Sequence, residues 1–399
     1  MEPECPQVTA EELHSVELVL SIGPTLEEDK GKKQTKGRKT TKPKQVPKQV
    51  IPKGLNELLY KTIEQAKIRG EKRCADLGDK FCSPYCNRVV NMHEALLTQE
   101  LSVIRFTFAT FADLQEDFYR SKTEVATFKA VFESFFREQY VASNGIDAFV
   151  DILNLEEKKR DRKSSPHRFF LYSTMMPSIC YDEEKYTDNQ RLKIFASNFE
   201  DMLNRYEVKK LESVDLVFIP VLQGDHFYVL CFNLKTGKID LIDNSAAKQE
   251  FKERYKGLPD TLRRVLVLYL QNALKPTPAI EELATSVIER KEMDWRTKNN
   301  GVDCGVFTMR HMETYKGDQK PWVTGFVNED EVNNRQKAQL HLLRTRYLSK
   351  IILSEHNMHR QKIIKMANAF DKRPDKERYM KDLDKIIPER MKIYFDRES

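Results

Sequence analysis

The chain has 399 residues, 40% of them hydrophobic and 32% charged, with 67 Lys and Arg against 61 Asp and Glu. That length allows one large or two smaller domains with a real core, and no apolar run is long enough to span a bilayer as a helix. Seven cysteines, dispersed at 5, 74, 82, 86, 180, 231 and 304, exclude a secreted disulfide framework and point to the nucleus or cytoplasm, as does an acidic start unlike a secretory leader.

Residues 1–54 read as a disordered basic segment. Nine Lys and Arg side chains fall between Lys30 and Lys48 with almost no large apolar neighbour, too little to offset chain entropy. Such a run suggests nuclear import, a solvated linker being the plain alternative. It is the only stretch where nucleic-acid contact is expected, and it lacks interleaved aromatics. Residues 55–120 read as a helical extension, opening with Leu55, Leu58, Leu59, Ile63 and Ala66 at helical spacing. Cys74, Cys82, Cys86 and His93 lack the paired spacing of structural zinc sites, so no metal and no cofactor are expected.

The next region, 121–355, carries the folded pattern. Val125, Phe128, Val131, Phe132, Phe135 and Phe136 predict a helix over Glu124–Tyr140, and Ile146, Phe149, Val150, Ile152 and Leu153 a second one. The charged run Glu156–Lys163 reads as a solvated exit, Arg168–Tyr172 as a short buried strand and Asn189–Tyr206 as a helix. Val214–Leu222, His226–Leu234 and Ile239–Asn244 are three apolar strands joined by short glycine-containing turns, an antiparallel meander with helices on both faces. A helix over Pro259–Leu274 follows, then a connecting stretch, Ser286–Trp295. The polar loop Lys298–Asp303 delivers Cys304 to the first turn of an apolar-faced helix, with Asp303 as the expected N-cap acceptor. Arg335–Glu355 is a long amphipathic helix with Leu340, Leu343, Tyr347 and Ile351 inward, and 356–399 is a charged, helical tail without a core of its own. The fold class is α+β.

His226 begins the second strand of the meander and Asp243 ends the third, so antiparallel pairing brings both side chains to one end of the sheet. An imidazole and an orienting carboxylate need that proximity, and a cysteine at a helix N-terminus, where the dipole favours thiolate, would complete a nucleophile, base and orienter. Singly, each residue has a plain alternative: a turn-edge histidine, a strand-end carboxylate, a small core thiol. Jointly, the placements favour chemistry. His311 is a poorer base, being two helical turns past Cys304, about 10 Å along the axis.

His226-Phe227, Leu241-Ile242-Asp243-Asn244-Ser245 and Asn300-Gly301-Val302-Asp303-Cys304-Gly305-Val306-Phe307 together resemble the ubiquitin-like-protein-specific (SUMO/sentrin) cysteine protease family, related to the adenovirus protease. The resemblance covers roughly residues 120–355, includes the helix start Asn144-Gly145-Ile146-Asp147, and is similar to plant and transposon-associated members. It implies a central mixed, largely antiparallel sheet flanked by helices, and a monomer that cleaves after the C-terminal glycine of a SUMO-like modifier or its conjugates. Cys304, His226 and Asp243 would be catalytic. The family's oxyanion glutamine, six residues before the cysteine, corresponds here to Lys298, with Asn299 as the neighbour able to substitute. Phe227 stands where the family has a tail-enclosing tryptophan, and no tryptophan lies near Asn144; the two present are Trp295 and Trp322. Phe227, Trp295 and Asn144 are the candidate substrate contacts. The alternative is a catalytically impaired, transposon-derived relative that binds a modifier or another partner.

Overall fold

The computed structural model describes residues 89–398 except 93–94, 111–112, 161, 164, 178–179, 181, 183–184, 299, 318–321 and 330–333. The readings made for the basic segment 30–48, the helix at 55–69 and the Cys74, Cys82, Cys86 and His93 set lie outside the described residues. In chain order the elements are α1 (Thr98–Phe108), β1 (Asp117–Arg120), β2 (Ala126–Phe128), α2 (Lys129–Glu133), α3 (Ser143–Glu157), β3 (Arg168–Phe170) and α4 (Asp188–Arg205). There follow β4 (Leu216–Gln223), β5 (His226–Asn233), β6 (Ile239–Ile242), α5 (Phe251–Tyr255), α6 (Leu258–Ala273), α7 (Pro278–Thr285) and β7 (Ile288–Arg290). The chain continues through α8 (Cys304–Thr314), α9 (Arg335–Leu353), α10 (Arg360–Asp371), α11 (Lys376–Tyr379) and α12 (Leu383–Glu398).

The meander is the centre of a five-stranded mixed sheet, order β3-β4-β5-β6-β7, with its inner pairs antiparallel and its two outer pairs parallel. Its residues are apolar on both faces because both faces are covered. Phe169 points to one side, 5.8 Å from Phe199 of α4, which in turn meets Tyr269 of α6 at 4.8 Å. Phe170 points to the other, stacked on Phe218, which meets Tyr315 at the end of α8. The fold is α+β, with helices on either side of the sheet.

Three sequence readings change. The helix expected over Glu124–Tyr140 is a strand, β2, paired with β1, and then the single turn α2. Glu124 and Glu138 have φ of +65° and +59°, outside helical space, and Ser134, Phe135 and Phe136 close three-residue turns. Val131, Phe132, Phe135 and Phe136 are buried all the same, so the apolar spacing marked burial and not backbone. The run Glu156–Lys163 is not a simple solvated exit, since Glu157 is buried and bonded to Arg168, whose guanidinium also reaches the carbonyls of Met312, Glu313 and Tyr315. The connection Ser286–Trp295 contains β7, a three-residue strand parallel to β6.

The tail is tied to the rest: Ile363, Ala367, Phe370, Ile387 and Met391 are buried in the common core, and Phe370 of α10 meets Phe106 of α1. The β1–β2 hairpin likewise straddles the boundary drawn between 120 and 121. No helix among the described residues is long and apolar enough to cross a membrane.

Candidate active site

Strand parity assembles the first pair. Val229 is opposite Ile242, so Asp243 continues opposite Tyr228, and His226, two residues further along β5, shares that face as its diagonal neighbour. The turn ahead of His226 is two residues long, and Gly224 supplies its left-handed φ of +64° without strain. His226 Nε2 lies 2.7 Å from Asp243 Oδ1. With Nε2 committed to the carboxylate, Nδ1 is the nitrogen left for a third group.

Asp243 is fully buried, and its oxygens are saturated. Oδ1 also accepts the Ser245 backbone N–H at 2.8 Å, while Oδ2 accepts Arg254 Nε at 2.9 Å and the Tyr255 hydroxyl at 2.7 Å. Burial alone would raise its pKa, but the hydrogen bond and charge of His226, the charge of Arg254 and the Ser245 amide hold it far below the carboxylate range. Burial likewise works to lower the pKa of His226, yet hydrogen bonds and charge from Asp243 and Cys304 raise it to about 9. At neutral pH the imidazole is therefore protonated in the resting arrangement.

Cys304 is the first residue of α8, which lies against β5. It is buried, and its sulfur sits 3.7 Å from the Asp225 carbonyl oxygen, one residue before His226. Its depth is fixed by Gly305, where a Cβ would come within 2.8 Å of Val141 Cβ and 3.4 Å of Ile146 at the start of α3. Only a glycine permits that approach.

The loop ahead of the cysteine is pinned at both ends. Thr297 exchanges backbone hydrogen bonds with Asn244 and Ala246, directly after Asp243. At the other end Asp303 does not cap its helix: it makes no side-chain cap bond and instead accepts from Asn300 Nδ2 and from Arg344 Nε, each at 2.7 Å. A buried guanidinium outcompetes the helix amides for this carboxylate, and Arg344 also binds the carbonyls of Val302, Ser134, Phe136 and Gln139. Between the pinned ends, Lys298 is exposed and its backbone N–H donates to Glu329 at 2.8 Å; Asn299 lies outside the described residues.

The candidate substrate contacts separate. Asn144 is exposed at the start of α3. Phe227 is buried, so its ring offers almost nothing to a ligand. Trp295 is turned toward the far part of α8: its N–H donates to His311 Nε2 at 3.2 Å and its ring meets Trp322. Burial depresses the His311 pKa to about 3, leaving a neutral acceptor two turns from the cysteine. Among the described residues no cluster of His, Cys, Asp and Glu side chains could hold a metal ion.

Sequence reasoning missed Arg254, Tyr255, Arg290 and Arg344, whose partners lie on other elements, and Tyr140. Burial, the charges of Asp225 and Cys304 and a hydrogen bond to Asp225 raise the pKa of Tyr140, a phenol that remains exposed. Its position just ahead of the α3 start was the one available signal.

Comparison with known proteins follows the same residues. The family model for the Ulp1 protease family, C-terminal catalytic domain, matches residues 140–342. A solved structure of the C-terminal Ulp1 protease domain in complex with Smt3, the yeast ortholog of SUMO, is similar at a TM-score of 0.44 and 12% identity, over 65% of this chain and 96% of that one. The catalytic domain of the Chaetomium thermophilum Ulp1-like SUMO protease is similar at 0.42 and 18%, over 65% of this chain and 90% of that one. No curated protein matches.

Proposed function

The chain belongs to the Ulp1 protease family, and from that premise we propose that it is a cysteine peptidase that cleaves after the C-terminal glycine of a SUMO-like modifier. The observation that carries this reading is the bond of His226 Nε2 to a buried, saturated Asp243, with the Cys304 sulfur 3.7 Å from the carbonyl oxygen of Asp225, the residue before that histidine. An imidazolium beside the sulfur is the counter-ion that a thiolate nucleophile needs.

In the proposed reaction the thiol proton resides on His226 Nδ1 while the Cys304 sulfur attacks the glycine carbonyl carbon. The tetrahedral oxyanion takes a hydrogen bond from the Cys304 backbone N–H, a first-turn amide without an intrahelical partner. Lys298 or Asn299 supplies the second donor. Collapse breaks the C–N bond as His226 passes its proton to the departing amine, leaving a thioester. Water then attacks, giving its proton to His226, and the second collapse releases the modifier's carboxylate and returns the thiol. Asp243 holds the ring throughout and stays ionised.

SUMO bearing a C-terminal vinyl sulfone should add covalently to Cys304 and leave Cys304→Ala untouched, as read by intact mass. No adduct, under conditions that label a control protease, defeats the activity. One observation favours a second reading, an impaired modifier-binding module: Lys298 is an exposed, flexible cation where a fixed amide donor is expected. Binding of SUMO by Cys304→Ala, with no turnover by the unsubstituted chain, would select it.

A further inference from the structure

Arg254 stands closer to the reacting groups than an ordinary surface arginine. It comes from α5, the short helix after the Asp243 turn, and its side chain is 14% exposed. Nε donates to Asp243 Oδ2 at 2.9 Å, and Nη2 lies 3.3 Å from His226 Nε2, the nitrogen that faces Asp243 Oδ1 at 2.7 Å. A protonated imidazole and a guanidinium thus share one carboxylate. Two N–H donors cannot bond each other, so while the imidazole is protonated Nη2 and Nε2–H oppose one another, both drawn to Asp243, whereas a bare Nε2 accepts from Nη2. Arg254 is held there by Tyr255, whose ring lies under the guanidinium at 5.6 Å and whose hydroxyl shares Oδ2.

The other charged and titratable groups around His226 are accounted for. Cys304 faces it from α8, and the Asp225 backbone belongs to the turn ahead of it. Tyr140, before α3, is tied to Asp225. From β7, Arg290 lies 3.8 Å from Asp243 Oδ2, but its Nη1 and Nη2 are engaged by the Ala247 and Ser245 carbonyls. Among the described residues, Arg254 is the cation that reaches both members of the His226–Asp243 pair.

We propose that Arg254 is a positioning residue that divides the charge of Asp243 between itself and His226, weakening the hold of the imidazole on its proton. Without that division the carboxylate would act on the imidazolium alone, and a base that binds its proton too tightly is a poor acid toward the leaving amine. The inference rests on the cysteine-peptidase reading for its catalytic meaning, but not for its measurement.

The test is a titration of His226 by NMR on the full chain with labelled histidine, the signal assigned by its loss in His226→Asn. Arg254→Gln keeps a donor for Asp243 and removes the charge; Arg254→Lys keeps the charge and removes the fork. The expected result is a His226 midpoint about one pH unit higher in Arg254→Gln, near the unsubstituted value in Arg254→Lys, with the other histidine signals unmoved. Hydrolysis should keep its KM and lose kcat in Arg254→Gln, with its alkaline limb displaced upward by the same amount. An unmoved midpoint in a folded Arg254→Gln, or the same displacement in Arg254→Lys, overturns the proposal and leaves the peptidase reading standing. A displaced midpoint in a chain that never labels with the vinyl sulfone would do the reverse.

Discussion

Asp243 and Lys298, two of the candidate catalytic residues, are held very differently. Asp243 is fully buried and accepts hydrogen bonds from an imidazole, an amide, a guanidinium and a phenol, whereas Lys298 is exposed and is held through its backbone N–H by Glu329. Asp243 is thus held from four sides. The stretch that carries Lys298 is held at its ends by Thr297 pairing with Asn244 and Ala246 and by the Asp303–Arg344 ion pair, and between them by single bonds such as that of Lys298 N–H to Glu329. Burial accounts for the contrast: a carboxylate without water must be satisfied by protein donors, while an exposed ammonium is solvated and needs none.

The sharpest way to break this comparison is at its strong side. Asp243→Asn removes the charge that four donors face and should lower kcat/KM by about 10⁴-fold; a loss under about tenfold would mean that the saturated carboxylate is structural only. Next comes Arg344→Met, which leaves Asp303 buried and unpaired and takes a partner from five oxygen acceptors. A loss of about 3–5 kcal/mol in urea unfolding is expected. Gly305→Ala forces a methyl against Val141 Cβ at 2.8 Å. It should cost about 1–3 kcal/mol and slow alkylation of Cys304 by iodoacetamide as α8 is pushed off the start of α3.

Smaller effects probe the weak side. A fixed oxyanion donor is worth about 10²–10³ in rate, but a mobile, solvated lysine should contribute less than about tenfold on conversion to Ala. If Lys298→Ala instead costs the full amount, the loop is as well organised as the orienter. The pH dependence of stability should be gentler still. The folded pKa of His226, about 9, lies above its ordinary value of 6.5. Its stabilising contribution is therefore complete below about 6.5 and is lost as pH rises through about 9. Asp243, with its pKa depressed, contributes above the ordinary carboxylate range and loses that contribution only on acidification. Urea midpoints that fall from pH 6.5 to 10 in the unsubstituted chain, and fall less in His226→Asn, are the expected pattern.

The legible parts of the molecule were those with a short-range pattern. The three strands of the meander announce themselves by apolar runs between glycine turns, and strand parity then brings His226 next to Asp243. Asn300, Gly301 and Asp303 ahead of an apolar helix mark where Cys304 would start one. The segment 124–140 misled because aromatic spacing of three and four reports burial equally well in a hairpin followed by tight turns. Strand β7 was too short to show a period, and Asp303 reads as a cap until a buried guanidinium is known to compete for it.

The sequence by itself determined the meander, the helix that starts at Cys304 and the family to which these motifs belong, because each depends on residues within a few positions of one another. Only the tertiary structure decided what surrounds Asp243, that Phe227 is buried and Trp295 turned to His311, and that Arg344 anchors the end of the loop. Most of those outcomes are contacts between groups on different elements, from 11 residues apart for Arg254 and Asp243 to 210 for Arg344 and Ser134, formed when burial strips water from charges and each must find whatever donor or acceptor the packed chain brings near. The opposition of Arg254 and His226 at one carboxylate is of that kind: nothing local in Arg254-Tyr255 marks it, and the folded sheet edge creates it.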